Sequence, residues 1–536
     1  MSKAETTTLR WMFLIGAIIF LLMIPPNMTG AKTAEMLSVF EVDEYAQYSH
    51  VIRMLTPGET LYQSLRNFFI YQHYFYGFPF YFFSALSLLP IRFIMPDWTA
   101  NTTLIVTWLR QMISVLPMIA AVMLLVITFI GLKRCRVALG AMVFLLSMPV
   151  IVQNNFWWHP DSLSFFFIAL VFYFLNKDEL RFGKYFWLAA VACGFAVGTK
   201  LQGLFFAGVI PVLLILGISK QKISIGNALK KGILFIVVMI GALIISNPLL
   251  LLPQERSDIL SVQKRQIEQT SLGTFTLNQN QMLEGWSFSE PIEKNYAGSW
   301  FFVLAAGGCL TGLRGSPSDR LRSLLLITYL LVAGMVLFNS PTVRTYYLLP
   351  FALPLFAGYG NYFQLSREYL SKEKQRWFNL LFALIALIPL VLNLRTDWDY
   401  YLAQITREQT SGSLQFYQAV ESEVLPVLNV KDRTVRILKD WKVYFPQQAG
   451  IAVAIDWDMI TAETIEREYP DLILLEQENM RAFSDPGVVT DAVDPHKMSA
   501  IHKFYKAASA DELPGFKQVF SDHFGAAFVR EDLVLP

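Results

Sequence analysis

Charge is in short supply in this chain: Asp, Glu, Lys and Arg make up 16% of its 536 residues, where an ordinary soluble domain carries about a quarter. A chain that poor in charge cannot coat a soluble fold of this size with water-seeking groups. Neither sign dominates, because 44 Lys and Arg against 42 Asp and Glu leave a net charge of +2. That excludes the strong basic field that nucleic-acid binding requires. Cysteine is scarce too. Cys135, Cys193 and Cys309 lie in or beside apolar runs and read as small core residues, not as a disulfide framework or a thiolate metal site. There is no internal repeat and no low-complexity tract, so a repeat-built transporter finds no support.

What fills the chain is apolar: 54% of residues are hydrophobic and 14% aromatic, with a mean hydropathy of +0.42. A membrane-crossing helix needs about 20 mostly apolar residues. The stretches that qualify are roughly 11–26, 104–131, 137–153, 162–176, 185–199, 201–218, 232–250, 299–313, 321–338, 345–363 and 377–394, about eleven in all. The first follows Lys3 and Arg10 and has no small-residue cleavage site, so it reads as a retained span and not as a signal peptide. Basic clusters separate later spans: Lys133/Arg134/Arg136, Lys177/Arg181/Lys184, Lys220/Lys222/Lys230/Lys231, Arg314/Arg320/Arg322 and Arg367/Lys372/Lys374/Arg376. Lys and Arg stay in the cytoplasm. The N-terminus is therefore expected inside, with 27–103, 154–161, 251–298, 339–344 and the tail from about 395 outside. Residues 68–95 are apolar enough to cross, but crossing would move every later basic cluster outside. They are expected to be interfacial or re-entrant, in the zone that favours Tyr and Phe.

Near residue 395 the composition turns polar, which divides the chain into a membrane domain, 1–398, and a soluble domain, 399–536. In the second, Thr434 to Leu438, Ile451 to Ile455 and Asp471 to Leu475 read as strands. Thr461 caps a helix that runs to Tyr469 and stops at Pro470, and Phe516 to Val529 fits a closing hairpin. The tail is thus a small α/β domain without a glycine-rich phosphate loop. The long polar loop 251–298 reads as a lid or as disordered.

Three groups of residues have chemistry to offer. The stretch FEVDEYAQYSH, Phe40 to His50, sets Asp43 beside Glu44 where the chain leaves the first span. On a helix from Glu41, Asp43, Gln47 and His50 share a face. Adjacent carboxylates near a bilayer suit a general base or a divalent cation, and a solvated acidic turn fits the pattern equally. NNFWWHPD, Asn154 to Asp161, offers His159 and Asp161, two apart, to orient one another or share a metal. A Trp anchor with Asp161 as a helix cap is the plainer reading. Arg110, Lys200 in GFAVGTKLQG and Arg344 in SPTVRTYYLLP lie at the outer ends of spans. Three cations at one level suit a shared anionic ligand such as phosphate, although each alone can snorkel to the headgroups. His73, in the aromatic stretch, is a ligand or an interfacial histidine.

In order and spacing, DEYAQY, the aromatic stretch 72–97, TWLRQ with Arg110, HPDSLSFFF, GFAVGTKLQGLFFAGVIP and VRTYYLLPFALP cover roughly the first 400 residues. Together they resemble the GT-C glycosyltransferases, in the branch of the protein O-mannosyltransferases and lipid A aminoarabinose transferases (glycosyltransferase family 39-like). The chain departs from the aminoarabinose members at Ala46, where they carry Arg, and at His73 and Tyr74, where they carry Lys-Pro. The resemblance implies a GT-C fold of about eleven transmembrane helices plus interfacial helices, with an extracytoplasmic C-terminal domain. It implies a sugar moved from a polyprenyl-phosphate donor to a hydroxyl of a lipid, glycan or protein acceptor, with inversion. Asp43 would be the base, with Glu44 supporting it or binding the acceptor. Arg110, Lys200 and Arg344 would hold the leaving phosphate. His159, Asp161, His73 and His50 would serve the acceptor or, with Asp43, a divalent metal. The rival class is a flippase of lipid-linked sugars, which would carry charges in mid-span, where this chain has almost none. A membrane anchor for the α/β domain would not need so many spans.

Overall fold

The computed structural model describes residues 2–274, 277–278, 292–293, 295–337, 345–428, 433–457, 459–490, 492 and 494–533. Lipid offers backbone amides no partner, so apolar runs close their hydrogen bonds as helices. Among the described residues six helices are long and apolar enough to cross a membrane: Lys3–Leu22, Thr102–Ile130, Leu201–Ser219, Ile225–Ser246, Pro317–Leu337 and Lys372–Val427, the last counted with its continuation. Shorter apolar helices are Phe78–Ile94, Cys135–Leu146, Lys184–Thr199 and Ser299–Arg314. The chain is a multi-pass membrane protein.

Three expected segments differ in detail, and the third of them is still long and apolar enough to cross. The run 137–153 is two helices, Cys135–Leu146 and Pro149–Asn154, because Pro149 donates no amide hydrogen and holds Met148 extended. The run 345–363 stays helical but alternates 3-10 and α turns: Thr345–Leu348, Leu349–Ala357, Gly358–Gly360 and part of Asn361–Tyr369. All nine residues of Leu349–Ala357 are buried, so it is a core element. The run 377–394 lies in a single helix of 39 residues, Lys372–Thr410, here called the strut. The expected boundary at 398/399 falls inside it. Nothing between Leu394 and Thr410 breaks a helix, and the strut ends only where Ser411 caps the next one, Gly412–Ala419.

Three of the basic clusters, those of Arg134, Arg322 and Arg367, meet at one end of the bundle. Arg134 donates to the carbonyl of Phe363, Arg322 to that of Thr128 and Lys231 to that of Phe182. Thr8 donates to the carbonyl of Leu132, which brings the start of the chain to the same end.

At the other end the first long loop forms Ala34–Phe40, Val42–Leu55, Leu61–Phe69 and Phe78–Ile94. Val42–Leu55 is the helix expected from Glu41 and is called the acid helix below. The turn before Phe78 is stitched to the glycine-rich break before Lys200. Gly77 donates to Thr199 O, and Asn247 bridges Phe78 N and Gly198 O. A Cβ on Gly77 would lie 1.6 Å from Gly198 O, so only glycine allows this approach.

Beyond the strut, five strands form one sheet: β1 Val435–Lys439, β2 Ile451–Ile455, β3 Leu472–Glu476, β4 Phe516–Ser521 and β5 Gly525–Arg530. Their order is β2-β1-β3-β5-β4, the first three parallel and the hairpin antiparallel. Every residue of β3 is buried, as its run LILLE requires of a central strand. Thr461 caps Ala462–Glu468 and Tyr469 ends it, as expected. Met498, Ile501 and Tyr505 pack on one face of the sheet, Phe416 and Val420 on the other. The domain sits against the acid helix, with the ring of Trp457 5.6 Å from that of Tyr45.

Candidate active site

The two acids of the acid helix part ways. Glu44 is fully buried and takes both arms of Arg110, Nε to Oε1 at 2.8 Å and Nη2 to Oε2 at 2.5 Å. Arg110 is equally buried and spends its third arm on the carbonyls of Asn27 and Thr29. Its helix widens there into i→i+5 turns over Arg110–Val115, a feature frequent at functional sites. The amide of Trp158 also donates to Glu44 Oε1, at 2.5 Å. Two expectations are corrected. Arg110 is satisfied inside the protein and has no arm left for a donor phosphate. Glu44 does not face the acceptor but pins the NNFWWHPD turn to the acid helix.

That pin sets His159 beside Asp43. His159 Nε2 lies 3.7 Å from Asp43 Oδ2 and 2.7 Å from the hydroxyl of Tyr76. The same hydroxyl is 3.4 Å from Asp43 Oδ2. On its other side His159 Nδ1 contacts Asp161 Oδ2, while Lys200 Nζ donates to Asp161 Oδ1 at 2.5 Å. The imidazole stacks on Trp157 at 4.1 Å, and Tyr346 meets it edge-on. The result is a continuous row: Asp43, Tyr76, His159, Asp161, Lys200. Side-chain exposure sorts the acids, because Asp43 is 37% exposed, Asp161 2% and Glu44 0%. Of the three, only Asp43 is open to a substrate.

His50 and His73 do not join the row. Their rings face each other at 5.3 Å, and His73 Nδ1 shares a hydrogen bond with the hydroxyl of Tyr81. Burial, helped by the neighbouring His50, pushes the His73 imidazole down to about 4. Gln47 is buried with neither amide atom partnered. Lys200 lies beneath the rings of Tyr346 and Tyr347, 5.4 and 4.4 Å from their centres. Arg344 lies outside the described residues. The polar helix Pro253–Leu272 covers the aromatic turn, with Glu255 accepting from Tyr74 and Gln263 donating to Tyr74 O. Most of the remainder of loop 251–298 lies outside the described residues.

The metal expected on Asp43, His159 and Asp161 does not fit. His159 stands between the two carboxylates and shows each a different nitrogen, while Asp161 is already shared with Lys200. Among the described residues no three His, Cys, Asp or Glu converge as a metal site.

Sequence reasoning passed over Tyr76, the residue that joins Asp43 to His159. Its neighbours are nearly all aromatic, so no residue of the run stands out; the one usable signal was Gly77, whose missing side chain marks a close backbone approach.

No protein-family model and no curated protein sequence matches the chain. Solved structures do. The oligosaccharyltransferase of Archaeoglobus fulgidus in its apo form superposes with a TM-score of 0.51 over 91% of this chain and 72% of that one, at 12% identity. ArnT from Cupriavidus metallidurans bound to undecaprenyl phosphate gives 0.44 over 98% of this chain and 99% of that one, at 10% identity. The first likeness shows the fold alone: this chain shares the fold of that oligosaccharyltransferase.

Proposed function

We propose that the protein transfers a sugar from a polyprenyl-phosphate donor to an acceptor hydroxyl at the outer face of the membrane, with inversion. The observation that carries this reading is the isolation of Asp43. Of the three acids at the site it is the accessible one, because Asp161 and Glu44 are buried and paired. The gathering of three basic clusters and the chain start at the far end of the bundle supports an outward-facing site.

Asp43 takes the proton of the acceptor hydroxyl as its oxygen attacks the anomeric carbon. The bond from that carbon to the phosphate oxygen breaks, and polyprenyl phosphate leaves with the electron pair. Tyr76 and His159 give the proton a way off Asp43, and Asp161 balances the imidazolium so formed. Lys200, whose ammonium is 18% exposed beside Asp161, meets the growing phosphate charge in this reading, with Arg344 as its companion. Glu44 and Arg110 act behind the site as positioning residues. The acceptor is a lipid, glycan or protein hydroxyl, and nucleic acid plays no part. The α/β domain faces the same side as the site.

Lys200→Ala should lower kcat by about 10²-fold, the usual cost of one lost donor to a developing anion. Single-turnover release of polyprenyl phosphate from purified protein measures this. A rate within twofold of wild type would remove Lys200 from the phosphate. The function itself is tested by mass spectrometry of envelope glycans and glycoproteins from cells with and without the gene. Loss of one glycan species is expected, and identical profiles would contradict the proposal.

A further inference from the structure

Arg407 lies in the last turn of the strut, more than three hundred residues from the acid helix in sequence and in contact with it in space. Its Nη1 donates to Glu41 Oε1 at 3.0 Å, its Nε to Thr29 Oγ1 at 3.0 Å and its Nη2 to Thr29 O at 2.6 Å. The guanidinium also stacks over the ring of Phe40, 4.9 Å from its centre. The approach needs a bare backbone. Gly30 has φ +68°, and a Cβ there would meet the guanidinium at 2.6 Å. One residue further along the strut, Glu408 accepts from Gly30 N and pairs with Lys32.

These contacts fall on the hinge from which the acid helix springs. Glu41 is the residue at its N-terminal cap, two before Asp43, and its side chain makes no capping bond. Its carboxylate is held by Arg407, as that of Glu44, one turn on, is held by Arg110. The carbonyl of Thr29 accepts from both guanidiniums. The start of the acid helix is therefore clamped by two arginines, one from a bundle helix and one from the strut. The strut passes directly into Gly412–Ala419, whose Phe416 is buried in the sheet domain.

We infer that Arg407 is a positioning residue for the proposed transfer: by holding Glu41 and Thr29 it fixes the direction in which the acid helix presents Asp43. The α/β domain, through the strut, thereby takes part in placing the base. A lysine cannot substitute fully, because the three contacts diverge from a planar fork.

This rests on the proposed function, so its test has two arms, both on full-length protein in lipid nanodiscs. The first is amide hydrogen exchange without substrate. In Arg407→Ala, exchange over residues 42–47 should rise about tenfold relative to wild type, with the spans unchanged. The second is transfer kinetics. Arg407→Ala should lose about tenfold in kcat with the donor KM within twofold, and Arg407→Lys should recover part of it. Glu41→Gln, which keeps the side chain's shape, should lose a similar factor, and the double variant should be no worse than Arg407→Ala alone. Unchanged exchange over 42–47, or Glu41→Gln at wild-type kcat, would overturn the inference. So would equal loosening of every helix, which would make Arg407 a general brace. If wild-type protein transfers no sugar, the function falls by itself, and the exchange arm still decides whether the clamp exists.

Discussion

Asp43→Asn should stop sugar transfer, with kcat falling by about 10³-fold, within the range that a general base contributes. The substitution keeps the shape of the side chain, and its amide oxygen can still accept from Tyr76. What it removes is the ability to take the acceptor's proton. Folding should not suffer, because Asp43 is 37% exposed and its nearest polar contacts, at 3.4 and 3.7 Å, are long. An unchanged melting temperature with no turnover is therefore the expected pair of results. Retained turnover in purified protein would move the base elsewhere, and a lost fold would make Asp43 structural.

The neighbouring acid should behave in the opposite way. Glu44→Gln should destabilise the protein by about 3–5 kcal/mol, the usual cost of leaving one partner of a buried ion pair alone. Arg110 would keep its carbonyl contacts with Asn27 and Thr29 but lose the one counter-charge that, among the described residues, lies within hydrogen-bonding distance. Exposed salt bridges are worth far less, but both members here are wholly buried. The readout is the thermal unfolding midpoint and the yield of monodisperse protein. Replacing both partners, as in Glu44→Leu with Arg110→Met, should recover part of the loss, because no charge is then buried alone. It should not recover activity, since Trp158 N would lose its acceptor and with it the anchor of the His159 turn. A Glu44→Gln protein as stable as wild type would contradict the pairing.

Physical signals differ in what they let a sequence reveal. Apolar runs and basic loops report on the solvent each segment meets, so the bundle and the gathering of three basic clusters at one end were legible. Strand alternation and turn residues are equally local, and β1, β2, β3 and the hairpin fall within a residue or two of their expected positions. Hydropathy marks where a chain leaves lipid, not where a helix stops. The strut therefore continues to Thr410, past the point where its composition turns polar. Partners far apart in sequence were the main loss. Arg110 at a span end reads as a cation seeking an anion, and nothing local announces that the anion is Glu44, 66 positions earlier. Glu41 and Arg407 escaped for the same reason. His159 and Asp161 were legible because they stand two residues apart; Lys200, their third partner, was read as a phosphate ligand and also pairs with Asp161.

The measurement that bears most directly on the account is the fate of a lipid-linked sugar in sealed proteoliposomes. Purified protein is given a polyprenyl-phosphate sugar and a soluble acceptor alcohol outside, and lipids from both leaflets are followed by mass spectrometry. Free polyprenyl phosphate should appear with inverted glycoside in step with it, and neither should form with Asp43→Asn. Intact sugar lipid moving between leaflets, with no polyprenyl phosphate released, would contradict the account and make the protein a flippase.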